Sequence, residues 1–135
     1  MSEPIVVTRA LTKKYGAAAA VEDVDLCLEK GQIYGLVGRN GAGKTTIIRM
    51  LTAQTLPTSG EIELFGETTP QGLSTARARI GAMVEIPSFY PYLTAAENLE
   101  YYRLQRGIPG PGCVEQVLEQ VGLQDAGKKK FKQFS

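Results

Sequence analysis

The residues with the most specific chemistry lie at positions 38 to 45, where the sequence is Gly-Arg-Asn-Gly-Ala-Gly-Lys-Thr. The three glycines let the backbone turn where a Cβ would clash, so that successive N–H groups face one anion. Lys44 adds a point charge for phosphate groups, and the Thr45 hydroxyl is the kind of oxygen that ligates Mg²⁺. The Gly-x4-Gly-Lys-Thr spacing therefore predicts a phosphate-binding loop.

Segments on both sides of this loop fit such a role. Positions 33–37 are apolar and bounded by glycines, which is typical of a short strand covered on both faces. Positions 45–54 follow with apolar residues at helical spacing, and the start of that helix would add unpaired N–H groups and a positive dipole end. The alternative without a nucleotide is an ordinary glycine-rich turn between a strand and a helix.

The rest of the chain predicts a β-rich front and a helical end. Alternation and β-branched residues predict strands at positions 5–10, 21–28, 61–65 and 80–85, the first two forming an antiparallel layer. Thr94 and Glu97 have the spacing of a capping box at the start of a helix. A second helix with an apolar face is expected to end at Gly122.

Composition excludes several classes of function. The chain has 135 residues, enough for one modest domain, and its net charge of +1 gives no reason to expect a nucleic-acid-binding surface. It contains no histidine and two cysteines far apart in sequence, so a zinc site is not expected. The N-terminus lacks the pattern of a signal peptide, and no apolar run approaches the length of a membrane span. A cytoplasmic protein is therefore expected.

The loop alone leaves several nucleotide-binding classes open. A GTPase should carry a guanine-reading Asn-Lys-x-Asp segment, which these 135 residues lack. A small-molecule kinase would use the same loop together with a lid.

A resemblance to a known family decides among these classes. The chain resembles an ABC ATPase in five segments that occur in the expected order, at positions 11–16, 21–24, 31–46, 57–62 and 93–99. Within that family it looks closest to the ATPase subunits of bacitracin and lantibiotic exporters.

The resemblance implies an α/β P-loop NTPase (ABC ATPase) fold. It would comprise a mainly β subdomain (1–30), a partial RecA-like nucleotide-binding core (31–86), and the Q-loop with the beginning of a helical subdomain (87–135). Phe134 and Ser135 resemble the first two residues of the ABC signature. An incomplete, N-terminal portion of one ATPase domain is therefore expected.

The resemblance also implies the site residues, with ATP and Mg²⁺ as cofactors. Tyr15 would stack on adenine, as a flat aromatic face suits a base. Lys44 and Glu85 would act in catalysis, and Thr45 and Glu85 would ligate Mg²⁺. The residues that wrap the phosphates would be Gly38, Asn40, Gly41, Ala42, Gly43, Lys44, Thr45 and Thr46. Tyr15 could instead be a rim tyrosine packed on the β layer.

Glu85 is a departure from most of the family, which has a glutamine there. The bacitracin-type subgroup resembles this chain in placing a proline-containing segment after the glutamate, here Ile86 and Pro87. A carboxylate ligates Mg²⁺ well, but it adds negative charge beside the terminal phosphate. The alternative is a polar residue at a strand end that faces solvent.

The predicted function is the ATP-binding subunit of an ABC exporter. Its expected partners are a membrane-spanning permease and a second ATPase subunit, with no nucleic acid, at the inner face of the membrane. Five aromatic residues between positions 89 and 102 would lie near the permease or pack the helical subdomain. The alternatives are a non-transport ABC ATPase and a non-enzymatic nucleotide-binding module. The 135 residues alone are expected not to hydrolyse ATP.

Overall fold

The computed structural model describes residues 2–134, which divide into two units, 2–86 and 87–134. Each unit has its own packing. Ser135, half of the predicted start of the signature, lies outside the described residues. The predicted division into three subdomains stays a prediction.

The first unit is built on a three-stranded antiparallel sheet. β1 (Pro4–Tyr15) and β2 (Ala18–Glu29) form a long hairpin, and β3 (Ser59–Leu64) pairs with the other edge of β1, giving the order β2-β1-β3. The hairpin closes through two residues, of which Gly16 has a φ of 61°, because a tight turn that follows the strand twist needs positive φ. The predicted antiparallel layer is therefore present, and its strands are longer than predicted.

Two helices cover one face of this sheet. α1 (Lys44–Leu51) follows the predicted phosphate-binding loop, and α2 (Pro70–Arg77) follows β3. The core between the helices and the sheet is apolar, with Leu11, Met50 and Leu64 fully buried. Burial of this kind contributes about 25 cal/mol per Å² of apolar surface, which is the main stabilisation of the unit.

α2 was missing from the sequence-based prediction. Its N-cap is Thr69, whose Oγ1 accepts a hydrogen bond of 3.1 Å from the N–H of Gly72, and Pro70 occupies the first turn. A capping threonine followed by proline is a sequence signal for the start of a helix, so α2 could have been predicted.

Two predicted strands were wrong. Positions 33–37 and 80–85 are not strands, and Ile33 and Val37 are almost fully exposed. The physical reason is pairing: the sheet of residues 2–134 takes up β1, β2 and β3, and no described segment pairs with positions 33–37 or 80–85. A buried strand needs neighbours on both edges, which apolar composition alone does not supply.

The second unit is helical, as predicted. α3 (Ala95–Gln105) begins at the predicted capping box, in which Thr94 Oγ1 accepts from the Glu97 N–H at 3.1 Å and Glu97 Oε2 accepts from the Thr94 N–H at 2.8 Å. α4 (Gly112–Gln120) is followed by Gly122 at a φ of 73°, which confirms the predicted helix end. Two short 3-10 turns, Gln124–Ala126 and Phe131–Gln133, complete the unit.

The start of α3 is fastened by one buried amide. Asn98 is buried, and its side chain accepts from the N–H of Tyr90 at 2.8 Å and donates to the carbonyls of Tyr90, Leu93 and Thr94. A fully satisfied buried amide of this kind fixes one arrangement of the loop that leads into the helix. Among residues 2–134, no helix has the length and apolar character to cross a bilayer.

Candidate nucleotide-binding site

A cavity of about 310 Å³ in the first unit brings together most of the predicted site residues. It collects six positions of the loop and the first turn of α1, one residue from β2, and one from the segment after α2. The lining residues are Ala20, Asn40, Gly41, Gly43, Lys44, Thr45, Thr46 and Glu85. Glu85 is 39 residues beyond Thr46 in sequence, so only the fold places it beside the loop.

The loop is fitted closely against β2 at Gly43. Gly43 has a φ of 95°, and a Cβ at this position would overlap the carbonyl oxygen of Ala20 and lie 2.9 Å from Cγ2 of Val21. Any side chain here would therefore clash with the backbone and strain the turn. This explains, from contacts, why the last glycine of the loop cannot be replaced without moving it.

The first turn of α1 presents backbone donors to the cavity. The first helical hydrogen bond runs from the N–H of Ile47 to the carbonyl of Gly43, at 2.9 Å. The N–H groups of Lys44, Thr45 and Thr46 precede it and have no carbonyl within the helix to bind. Three adjacent donors at the positive end of the helix dipole make a site for an anion.

Lys44 is folded back onto the loop. Its Nζ donates to the carbonyl of Gly38 and, at 2.9 Å, to the carbonyl of Arg39. Because an ammonium has three donors, these two bonds hold the charge at the loop and leave capacity for an acceptor in the cavity.

Two oxygen ligands of the kind that Mg²⁺ prefers line the same cavity. The Thr45 hydroxyl makes no side-chain hydrogen bond within residues 2–134, and the Glu85 carboxylate lies 3.8 Å from Nη2 of Arg49. Mg²⁺ commonly takes one or two protein oxygens and completes its shell with water and phosphate oxygens. A hydroxyl and a carboxylate therefore fit such an ion. Among the described residues, no group of three or more acidic, cysteine or histidine side chains could hold a metal without a nucleotide.

Tyr15 does not line this cavity. It lies at the end of β1 with 56% of its surface exposed, and Nζ of Lys13 is 5.1 Å from the centre of its ring. An exposed ring is available to stack on a base. Its role stays a prediction.

Sequence patterns missed two residues that bear on the site. Ala20 carries no chemical signal, since it contributes only a backbone carbonyl and a small side chain to the cavity wall. Arg49 is a basic residue in the last turn of α1, and only the fold shows its contact with Glu85.

Comparison with known proteins identifies the family. The model of the ABC transporter family matches residues 21–135. The chain belongs to this family. That finding confirms the resemblance on which the fold class and the function were predicted.

Relatives within the ABC transporter family support the predicted subgroup. The chain is 47% identical over 131 residues to the bacitracin transport ATP-binding protein BcrA of Bacillus licheniformis, covering 97% of this chain and 43% of that protein. It is 41% identical to the BcrA of Enterococcus faecalis, covering 98% of this chain and 43% of that protein. The chain thus spans less than half the length of these two relatives.

Solved structures of ABC transporter subunits share the fold. An ATP-binding subunit of an ABC transporter matches with a TM-score of 0.79 and 26% identity, over 97% of this chain and 56% of that chain. The cbiO1 subunit of Clostridium perfringens matches with a TM-score of 0.81 and 17% identity, over 98% and 56% of the two chains. The partial P-loop NTPase fold, with its antiparallel layer, is therefore confirmed.

Proposed function

We propose that these residues are the phosphate-binding part of the ATP-binding subunit of an ABC exporter. In the complete domain, binding and hydrolysis of ATP would be coupled to transport by a separate membrane subunit. The observation that supports this proposal is the cavity that joins the loop, the first turn of α1 and Glu85.

Phosphate binding would draw on three kinds of group. The free N–H groups of the first turn of α1 would donate to phosphate oxygens, in the field of the helix dipole. The ammonium of Lys44 would turn toward the β- and γ-phosphates. It would use its remaining N–H group and the two that it now donates to the carbonyls of Gly38 and Arg39. Gly43 would keep the loop close to β2, so that the donors stay aimed at one point.

Thr45 and Glu85 would hold the magnesium ion of MgATP, and Lys44 and Glu85 would be the catalytic residues of this part of the domain. A magnesium ion bound here would offset the charge of the β- and γ-phosphates. Thr46 would bind the phosphates beside Thr45, and Tyr15 would stack on the adenine.

Several further properties of the exporter belong to this proposal. The relatives are named for bacitracin transport, and others for Nod factor export, which favours export by a complex with a permease. A second ATPase subunit would complete the dimer, and the complex would lie at the cytoplasmic face of the membrane. Exposed tyrosines of the second unit, Tyr90, Tyr92 and Tyr101, are suited to contact the permease.

Calorimetry with MgATP tests the proposal. We expect Lys44→Ala to weaken binding by about 1.5–3 kcal/mol, the range for hydrogen bonds to charged groups. Lys30→Ala, which removes an exposed lysine just after β2, is the matched control and should leave the affinity unchanged. Equal affinity of the wild type and Lys44→Ala, with both proteins folded by circular dichroism, would contradict the proposed site. Binding without hydrolysis in the complete protein would favour the non-enzymatic alternative.

A further inference from the structure

The backbone at Glu85 is in a conformation that residues with a Cβ rarely adopt. Its φ is 63°, in the left-handed region, although it is neither glycine nor asparagine. Ala10, Asp23, Ala53 and Phe65 also have positive φ and lie outside the cavity, so the cavity position of Glu85, more than its backbone, bears on function. Glu85 lines the cavity together with Lys44 and Thr45.

Arg49 is the charged partner of Glu85. Its Nη2 lies 3.8 Å from Oε1 of Glu85, with 43% of the arginine side chain and 65% of the glutamate side chain exposed. Thr45 and Arg49 are four positions apart on α1, so they lie on the same side of the helix. The helix that starts at the phosphate-binding loop thus also carries the countercharge of Glu85.

The place where Glu85 lies suits a countercharge in addition to the Mg²⁺ that Glu85 would ligate. A carboxylate on the wall of a phosphate-binding cavity repels the negative charge that the cavity is built to bind. The other cation on this wall, Lys44, is bonded to the carbonyls of Gly38 and Arg39. Arg49 is the cation within ion-pair distance of Glu85 among residues 2–134.

We propose that Arg49 is a positioning residue for Glu85. It holds the carboxylate at the edge of the cavity and offsets its charge, so that a glutamate is compatible with bound phosphate groups. This inference rests on the proposed function, since it concerns the binding of a nucleotide at the same cavity. It assigns to Arg49 a role that depends entirely on the presence of a negative charge at position 85.

A double-mutant cycle in the full chain tests that dependence. The four proteins are the wild type, Arg49→Gln, Glu85→Gln and the double variant, each titrated with MgATP at low ionic strength. Arg49→Gln should weaken binding about two- to fivefold, the range of an exposed ion pair. In the Glu85→Gln background the same substitution should change the affinity less than about 1.5-fold, because the charge to be offset is gone. Arg49→Lys should restore most of the affinity.

A second ion pair of the same length provides the control. Arg9 and Glu61 are 3.8 Å apart, with 53% and 71% of their side chains exposed, on strands β1 and β3, and Arg9 also pairs with Glu63 at 2.9 Å. Arg9→Gln and Glu61→Gln make the same changes in charge and should leave the affinity unchanged. At about 1 M salt the loss in Arg49→Gln should shrink, because the Debye length falls to about 3 Å.

The outcomes separate this inference from the proposed function. If Lys44→Ala binds MgATP more weakly than the wild type, but the effects of Arg49→Gln and Glu85→Gln simply add, then Arg49 acts elsewhere and the inference is overturned. A stabilising role at the end of α1, where cations favour the helix dipole, would give that additive result with a lower Tm. If the wild type itself shows no saturable binding, the proposed function fails first.

Discussion

The predicted role of Tyr15, stacking on adenine, depends only on its own aromatic ring. Its ring is exposed at the end of β1, with the ammonium of Lys13 on one side of it. We expect Tyr15→Ala to weaken ATP binding by about 1–3 kcal/mol, the range for stacking of a base on an aromatic ring. Tyr15→Phe keeps the ring and should be nearly neutral. Fluorescence titration with ATP measures both variants.

A control ligand without a base strengthens the Tyr15 experiment. Inorganic triphosphate with Mg²⁺ should bind Tyr15→Ala and the wild type equally, since it has no base to stack. If Tyr15→Phe loses as much affinity for ATP as Tyr15→Ala, the hydroxyl is responsible and stacking is the wrong mechanism.

At the scale of single residues, the loop residues could be predicted from the sequence because their pattern is local. The glycines, Lys44 and Thr45 follow a spacing that suits phosphate, and the structure brings Gly41, Gly43, Lys44 and Thr45 to one cavity. Arg49 could not be predicted, because its significance comes from a residue 36 positions away that reaches it only through the fold. The functional roles themselves stay predictions.

At the scale of secondary structure, one close contact at Gly60 fixes how β3 pairs with β1. Gly60 has a φ of 89°, and a Cβ there would overlap the carbonyl of Ala10 and lie 2.7 Å from Cα of Leu11. The register of the two strands also shifts at this point. The glycine near the start of β3 is therefore required by the close approach of two backbones.

Replacing Gly60 should destabilise the sheet. We expect Gly60→Ala to lower the free energy of unfolding by about 2–5 kcal/mol, from the cost of left-handed backbone together with an overpacked contact. Gly66→Ala is the matched control, since Gly66 has a φ of 80° but open space around its Cβ position. It should lose only the conformational part, about 1–2 kcal/mol. Urea unfolding compares them, and equal losses would contradict the steric argument.

The elements that sequence patterns predicted well are those stabilised by local interactions. The capping box of α3 and the glycine after α4 need only neighbouring residues, and both were confirmed. The prediction of strands at 33–37 and 80–85 was wrong, because a strand depends on partner strands that lie outside the segment itself. The prediction of the antiparallel layer was correct because its two strands, β1 and β2, pair with each other.

At the scale of the whole molecule, we expect the 135 residues to bind MgATP weakly and not to turn it over. The cavity offers cationic and hydrogen-bonding groups, which act in the bound ground state. Transfer of a phosphoryl group to water also needs an oriented nucleophile and stabilisation of the transition state. A phosphate-release assay measures this, with Lys44→Ala as the control for contaminating ATPases.

One result would overturn that expectation. If phosphate release by the purified chain persists on dilution and disappears in Lys44→Ala, then the described residues suffice for catalysis. The described residues would then include a group that activates water.

The exposed segment at positions 33–37 has a consequence for how this polypeptide behaves in solution. Its sequence, Ile-Tyr-Gly-Leu-Val, is uncharged, and its backbone donors and acceptors have no partner strand among residues 2–134. An uncharged apolar stretch with open backbone groups is a template onto which another chain can add. Crowded conditions, such as strong overexpression, should therefore favour inclusion bodies and chaperone capture, and a charged residue at position 36 should relieve both.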